Sequence, residues 1–222
     1  GGAISPSAVL YTGPVTITNN AHVVVRSRNL NHKNLTGGPS NGNPPATTPW
    51  SGPARAVLVV NDVPLVITEI MYHPANPPAG NTNDADNFEF IELKNVGPNP
   101  LSLLGVRFAN GIDYTFTTNS SVTSLAPGGT VLLVKDRAAF QSRYPGVTNI
   151  AGEFGGNLDN AGERLALIGG LSEPILDFAY SDEWYPITDG PGFSLVIADE
   201  RAGGASWALK ESWRSGVLFG GS

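Results

Sequence analysis

From residue 63 onward, short apolar runs alternate with clusters of turn residues, and this rhythm is the chain's dominant pattern. The runs at 65–71, 88–95, 105–108, 114–116, 131–135, 164–168, 175–180 and 194–197 are separated by stretches rich in Gly, Pro, Asn and Asp. Such runs predict β-strands, and eight of them suit one β-sandwich. Pro127-Gly128-Gly129 predicts a turn before a buried VLLV run, and Gly169-Gly170 a hairpin turn between ERLALI and PILDFAY. One helical piece is expected: Asp136 caps a short segment carrying Ala138, Ala139, Phe140 and Tyr144, and Pro145-Gly146 stops it.

The preceding residues read differently. Strand-like runs lie at 8–11, 15–18, 22–27 and 54–60, and Val23 and Val25 alternate with Val24 and Arg26 as a half-buried strand requires. Between them, 29–53 is rich in Asn, Gly, Pro and Thr without apolar periodicity, which predicts a long, mobile surface loop. The tail SWALKESWRSGVLFGGS carries two Trp but no strand alternation, so 200–222 reads as an arm packed across the sandwich or as a connector.

Several of these motifs, in this order, carry a family resemblance. LVITEIMYHPANPPAGNTNDADNFEFIELKNVGPNPLSLLGVRF, then LAPGGTVLLVKDRAAFQSRYP, FGGNLDNAGERLALI and ILDFAYSDEWYP resemble the bacterial extracellular form of the lamin tail domain over about 63–199. The resemblance implies an all-β, immunoglobulin-like sandwich. A second resemblance covers 1–62: SPSAVLYTGPVTI, AHVVVRSRN and WSGPARAVLVV look like the closing half of the small Ig-like domain at the C-terminus of chitobiase and β-hexosaminidase-type proteins. That family's opening hairpin, with its Tyr-Thr-x-Asp-Gly-Ser/Thr motif, is absent, so this segment is expected to be a partial Ig-like domain, with a simple hairpin extension as the alternative. On the first reading the 222 residues are an excerpt or a processed product of a longer polypeptide.

Composition narrows the function classes. With 27 Gly and 18 Pro, about a fifth of the chain interrupts helices, which supports the all-β expectation. Only 14% of residues are charged, against about 25% in typical soluble domains. A net charge of -6 without a local Lys/Arg cluster argues against nucleic acid as a partner. The absence of Cys removes disulfides and thiolate chemistry, and no apolar run reaches the roughly 20 residues of a membrane span.

Candidate chemistry is sparse. Asp84, Asp86, Asn87 and Glu89 concentrate hard oxygen ligands suited to Ca²⁺, the one cofactor to consider, although the EF-hand order is missing; a solvated acidic loop is the plainer reading. Glu69 and Glu92 on adjacent predicted strands invite a glycosidase reading. His73, His22 and His32 are isolated, no Gly-x-Ser-x-Gly elbow occurs, and the glycine-rich 152–162 lacks a phosphate-loop Lys and reads as a turn. Trp184 and Tyr185, with Phe193 and the carboxylates of Asp182, Glu183 and Asp189, offer either a sugar-stacking platform or corner packing. Asn34 and Asn119 head glycosylation sequons.

The expected protein is a non-enzymatic structural or adhesive module of a larger bacterial protein, extracellular or at the cell surface. Its partners would be other domains of the same polypeptide, or neighbouring copies joined by β-strand addition into an assembly or fibre. The alternative is a carbohydrate-binding accessory module of a secreted enzyme, with polysaccharide as partner.

Overall fold

A computed structural model describes residues 4–30 and 49–221, and the chain divides into two compact units, 1–61 and 62–222. The expected loop 29–53 falls largely outside the described residues, as do His32 and the Asn34 sequon.

The first unit is built on one antiparallel hairpin, β1 (Ala21–Val25) against β2 (Ala54–Leu58), with Val23 opposite Ala56. Side chains lengthen it at both ends. Asn20 Oδ1 accepts from the backbone N–H groups of Val60 and Asn61, while Arg26 Nε donates to the Ser51 carbonyl. The runs at 8–11 and 15–18 are not strands, a correction to the sequence reading. Val9, Leu10, Tyr11 and Val15 remain exposed, so no covered face rewards their extension into a sheet.

The second unit is a β-sandwich. In chain order it comprises β3 (Leu65–Met71), β4 (Phe90–Asn95), β5 (Leu101–Ser102), β6 (Arg107–Asn110), β7 (Ser124–Leu125), β8 (Thr130–Val134), α1 (Arg137–Arg143), β9 (Ile150–Glu153), β10 (Arg164–Ile168), β11 (Pro174–Ala179), β12 (Leu195–Ile197) and β13 (Trp213–Ser215). A six-stranded sheet in the order β13-β12-β3-β4-β8-β9 faces the three-stranded β11-β10-β6, with β5 and β7 paired separately. All pairings are antiparallel except β8 with β9.

β3 is buried along its whole length, because both faces of its sheet are partly covered. Pairing with β4 runs from Ile67 opposite Leu93 directly to Glu69 opposite Glu92, so Thr68 is the extra residue of a β-bulge. The bulge reverses side-chain parity. Leu65 and Ile67 before it, and Ile70 and Tyr72 after it, all join the main core, where they meet Leu165, Leu167 and Phe178. Val66, Thr68 and Ile70 therefore do not share a face, as uninterrupted alternation would require.

Behind the six-stranded sheet lies a smaller core. α1 packs Phe140 over Met71, Phe90, Leu132 and Val134. Asp136 caps the helix as expected, accepting from the Ala139 N–H at 2.8 Å. The expected strand at 114–116 contributes only a single bridge, Thr115 to Arg107, while Tyr114 and Phe116 pack edge to face at 5.0 Å.

The tail is part of the main core. Trp207 and Trp213 are 0% and 1% exposed, and Trp213 stacks on Phe178 at 5.6 Å. β12 pairs with β3 only as far as Glu69, and beyond that point Trp207 Nε1 donates to the Ile67 carbonyl at 2.9 Å. Trp213 Nε1 in turn donates to the Trp207 carbonyl at 2.8 Å.

Trp207→Phe keeps an aromatic ring but strands the buried Ile67 carbonyl, so it should destabilise the fold by roughly 1–3 kcal/mol. Urea unfolding followed by Trp213 fluorescence measures this; an unchanged midpoint would show that the bond contributes nothing.

Candidate functional site

The paired carboxylates lie where the bulge puts them. Glu69 and Glu92 are directly opposed on the outer face of the six-stranded sheet, an arrangement that repels unless each charge is otherwise held. Each has its own partner. Ser194 Oγ donates to Glu69 Oε1, and Thr68 Oγ1 donates to Glu92 Oε1 at 2.6 Å. Glu69 is 3% exposed beneath Gly221, where an added Cβ would sit 2.8 Å from its Oε1. Substrate cannot reach it.

Glu92 instead borders an open polar depression of about 390 Å³ floored by Thr68 and Val196 and edged by Glu200 and Arg214. Lys94 Nζ is bound there to Glu200 at 2.7 Å. Opposite charges neutralise one another across this surface, and among the described residues no buried, unpaired side-chain group lines it.

One end of the sandwich gathers the acidic loop. Asp84 caps the short 3-10 turn Ala85–Phe88 by accepting from the Asp86 N–H, and Asp86 Oδ2 accepts from Asn157 Nδ2 at 3.2 Å. Glu89 points inward, fully buried, and its Oε2 accepts from the Leu158 N–H at 2.9 Å. Asp84, Asp86, Asn87 and Glu89 thus do different structural jobs, and among the described residues no three of His, Cys, Asp and Glu form a group able to hold a metal ion.

Glu89 Oε1 has no hydrogen-bond partner. Burial pushes its carboxyl up to about 8, with the nearby Asp86 and Glu163 charges adding to the shift and the Leu158 N–H and Lys135 opposing it. Glu163 is raised as well, chiefly by burial, and burial raises Tyr180 beside it. Glu163, Tyr180 and Lys135 belong to this group but were not legible as such in the sequence, because they approach Glu89 only through the fold.

His73 finds a single charged partner. Its Nδ1 lies 2.5 Å from Asp189 Oδ1, while Gly190 N–H donates to the His73 carbonyl. The pair ties the end of β3 to the 182–189 segment.

Trp184 and Tyr185 are half-buried corner residues. Trp184 tilts against Trp213 at 6.4 Å, and the Tyr185 hydroxyl donates to the Trp213 carbonyl at 2.8 Å. With Trp207 and Trp213 in the core, the four aromatics do not make an exposed strip. Asn119 is exposed in its turn.

The sandwich edges are blunted. β13 is the outermost strand of its sheet, yet the Trp213 carbonyl takes the Tyr185 hydroxyl, the Trp213 N–H donates to the Lys210 carbonyl, and the Ser215 carbonyl accepts from Arg214. At the other edge, the Ala151 carbonyl in β9 accepts from the Ser121 N–H, and Asp113 bridges Gly155 just beyond the strand. These backbone groups are thus unavailable to an incoming strand.

A family model described as Lamin Tail Domain matches residues 60–170, half of the chain. No curated protein and no solved structure matches it. The match runs from β3 to β10, so β11, β12 and β13, which complete both sheets, lie beyond it.

A folded-state Glu89 pKa near 8, above its ordinary 4.5, means the folded chain holds the extra proton between those values. Stability is therefore greatest at the acidic side of that window and declines as pH rises through it, by up to about 1.4 kcal/mol per pH unit for one proton. Glu89→Gln should flatten that decline in urea unfolding measured from pH 5 to 9; equal slopes in the two proteins would rule out a raised Glu89.

Proposed function

Because the chain belongs to the lamin tail domain family, we propose that it is a non-catalytic structural and adhesive module of a larger bacterial protein, extracellular or at the cell surface. The observation that carries this reading is how the polar side chains of the sandwich are employed. Glu69 is covered by the chain's own glycine turn, Glu92 is held by Thr68, and His73 is held by Asp189. Catalysis needs a nucleophile, a base and a stabilising group converging on space that substrate can enter. Here the corresponding groups brace the fold instead.

The resemblance of 1–62 to the closing half of a chitobiase-type Ig-like domain supports a place among tandem modules. Trp184 and Tyr185 are engaged at a corner of the sandwich, against the Trp213 ring and the Trp213 carbonyl, which favours structural packing over polysaccharide binding.

Antibodies raised against the purified chain should label intact, unpermeabilised cells of the source organism and detect a polypeptide larger than 23.2 kDa in the washed surface fraction. Labelling only after permeabilisation would overturn the surface reading. Turnover of chromogenic glycosides or esters that Glu92→Gln abolishes would overturn the non-catalytic one.

A further inference from the structure

The loop between β9 and β10 closes over a carboxyl. Glu89, just before β4, is fully buried; its Oε2 accepts from the Leu158 N–H at 2.9 Å and its Oε1 has no partner. A second buried acceptor without a partner, Asn160 Oδ1, belongs to the same loop. A charged carboxylate offers acceptors alone, so an interior already short of donors holds it poorly. The neutral carboxyl brings an O–H and has no charge to desolvate.

The groups around Glu89 favour the neutral form. Asp86 in the preceding turn and Glu163 just before β10 oppose its ionisation, while Lys135 after β8 favours it. Asp159 lies against Glu163, and the Tyr180 hydroxyl just after β11 donates to the Asp159 carbonyl at 2.8 Å. Glu153 of β9 accepts from the Arg137 N–H, and Arg143 of α1 lies over the Phe88 ring at 3.6 Å. Burial, the largest influence, pushes the Glu89 carboxyl up to about 8.

The loop can move without the sheets. Gly156 and Gly162 bracket it at φ of +77° and +101°, and the space beside Gly156 is open. Leu158, between them, is buried and joins the main core. Further fastenings come from side chains around the loop: Lys135 Nζ donates to the Gly156 carbonyl and Asn157 Nδ2 to Asp86 Oδ2 at 3.2 Å. The flanking strands are held by their own partners, β9 by β8, and β10 by β6 and β11.

We infer that the neutral Glu89 carboxyl latches the 156–162 loop, and that rising pH releases this loop while both sheets stay intact. An ionised Glu89 needs water, and swinging Leu158 out of the core admits it. The shut loop holds the proton and the open loop gives it up. The ratio of open to shut therefore rises by up to about tenfold per pH unit between 4.5 and about 8, and levels off above.

Hydrogen exchange at the Leu158 amide, followed by NMR on the full chain from pH 5 to 9, tests the latch. After correction for intrinsic base-catalysed exchange, Leu158 protection should fall about a hundredfold or more between pH 5 and 8 and then level off. Above pH 7 it should be indifferent to subdenaturing urea, as a local opening requires, whereas amides of β10 should stay better protected and respond to urea. Glu89→Gln keeps a neutral group with a donor, so Leu158 protection should be constant across the range.

Leu158 protection that is independent of pH in the wild type would overturn the inference. So would a urea response at Leu158 equal to that of β10, because the whole sandwich would then be opening. A Glu89→Gln chain that keeps the wild-type slope would place the proton on another group and equally overturn it. If that variant does not fold, the wild-type ¹³Cδ resonance of Glu89 decides: its midpoint should match the pH at which the loss of protection levels off, and a midpoint near 4.5 would end the proposal.

Discussion

The sandwich depends on one irregularity, the bulge at Thr68. A strand of uninterrupted alternation beginning with Leu65 and Ile67 inside would place Glu69 inside and Ile70 outside. One extra residue reverses this, carrying Ile70 and Tyr72 into the main core and Glu69 to the outer face, where Ser194 reaches it. The cost is local: pairing with β12 stops at Glu69, and the Ile67 carbonyl needs another donor. Trp207 supplies it from the core. That bond fixes the position of the tail, because the Trp207 carbonyl holds Trp213 and Trp213 opens β13. A bulge near the start of the sandwich and an indole 140 positions later thus form one structural unit.

This coupling explains which elements were legible in the sequence. β3, β4, β8, β10 and β11 advertise themselves through dense Leu, Ile, Val and Phe, and the Asp136 cap of α1 is a local motif with a local consequence. β9 and β13 do not. IAGE includes a glycine and WRS is three residues long, and both exist because a neighbouring strand offers hydrogen bonds. The error at 8–11 and 15–18 has the opposite origin, since apolar composition marks a strand only where a partner covers it. The bulge at Thr68 is likewise invisible locally: nothing in LVITEIM distinguishes a bulge from plain alternation, because Val66 and Thr68 are acceptable on either face.

The candidate sites follow the same division. The acidic cluster at 84–89 was visible as composition, but the feature that matters there, a carboxyl buried to 0% exposure with an unpartnered oxygen, depends on Leu158 and Glu163 approaching from loops far along the chain. Local spacing could suggest calcium; only the fold shows Glu89 turned away from Asp84. The pairing of His73 with Asp189 is equally nonlocal, whereas the two carboxylates at Glu69 and Glu92 were correctly placed on neighbouring strands.

The two units solve the problem of exposed backbone in opposite ways. The sandwich spends side chains on it: Tyr185 and Arg214 occupy carbonyls of β13. The hairpin extends itself with Asn20 and Ser51, but among the described residues both of its strands are edges and Val24 and Val25 are exposed.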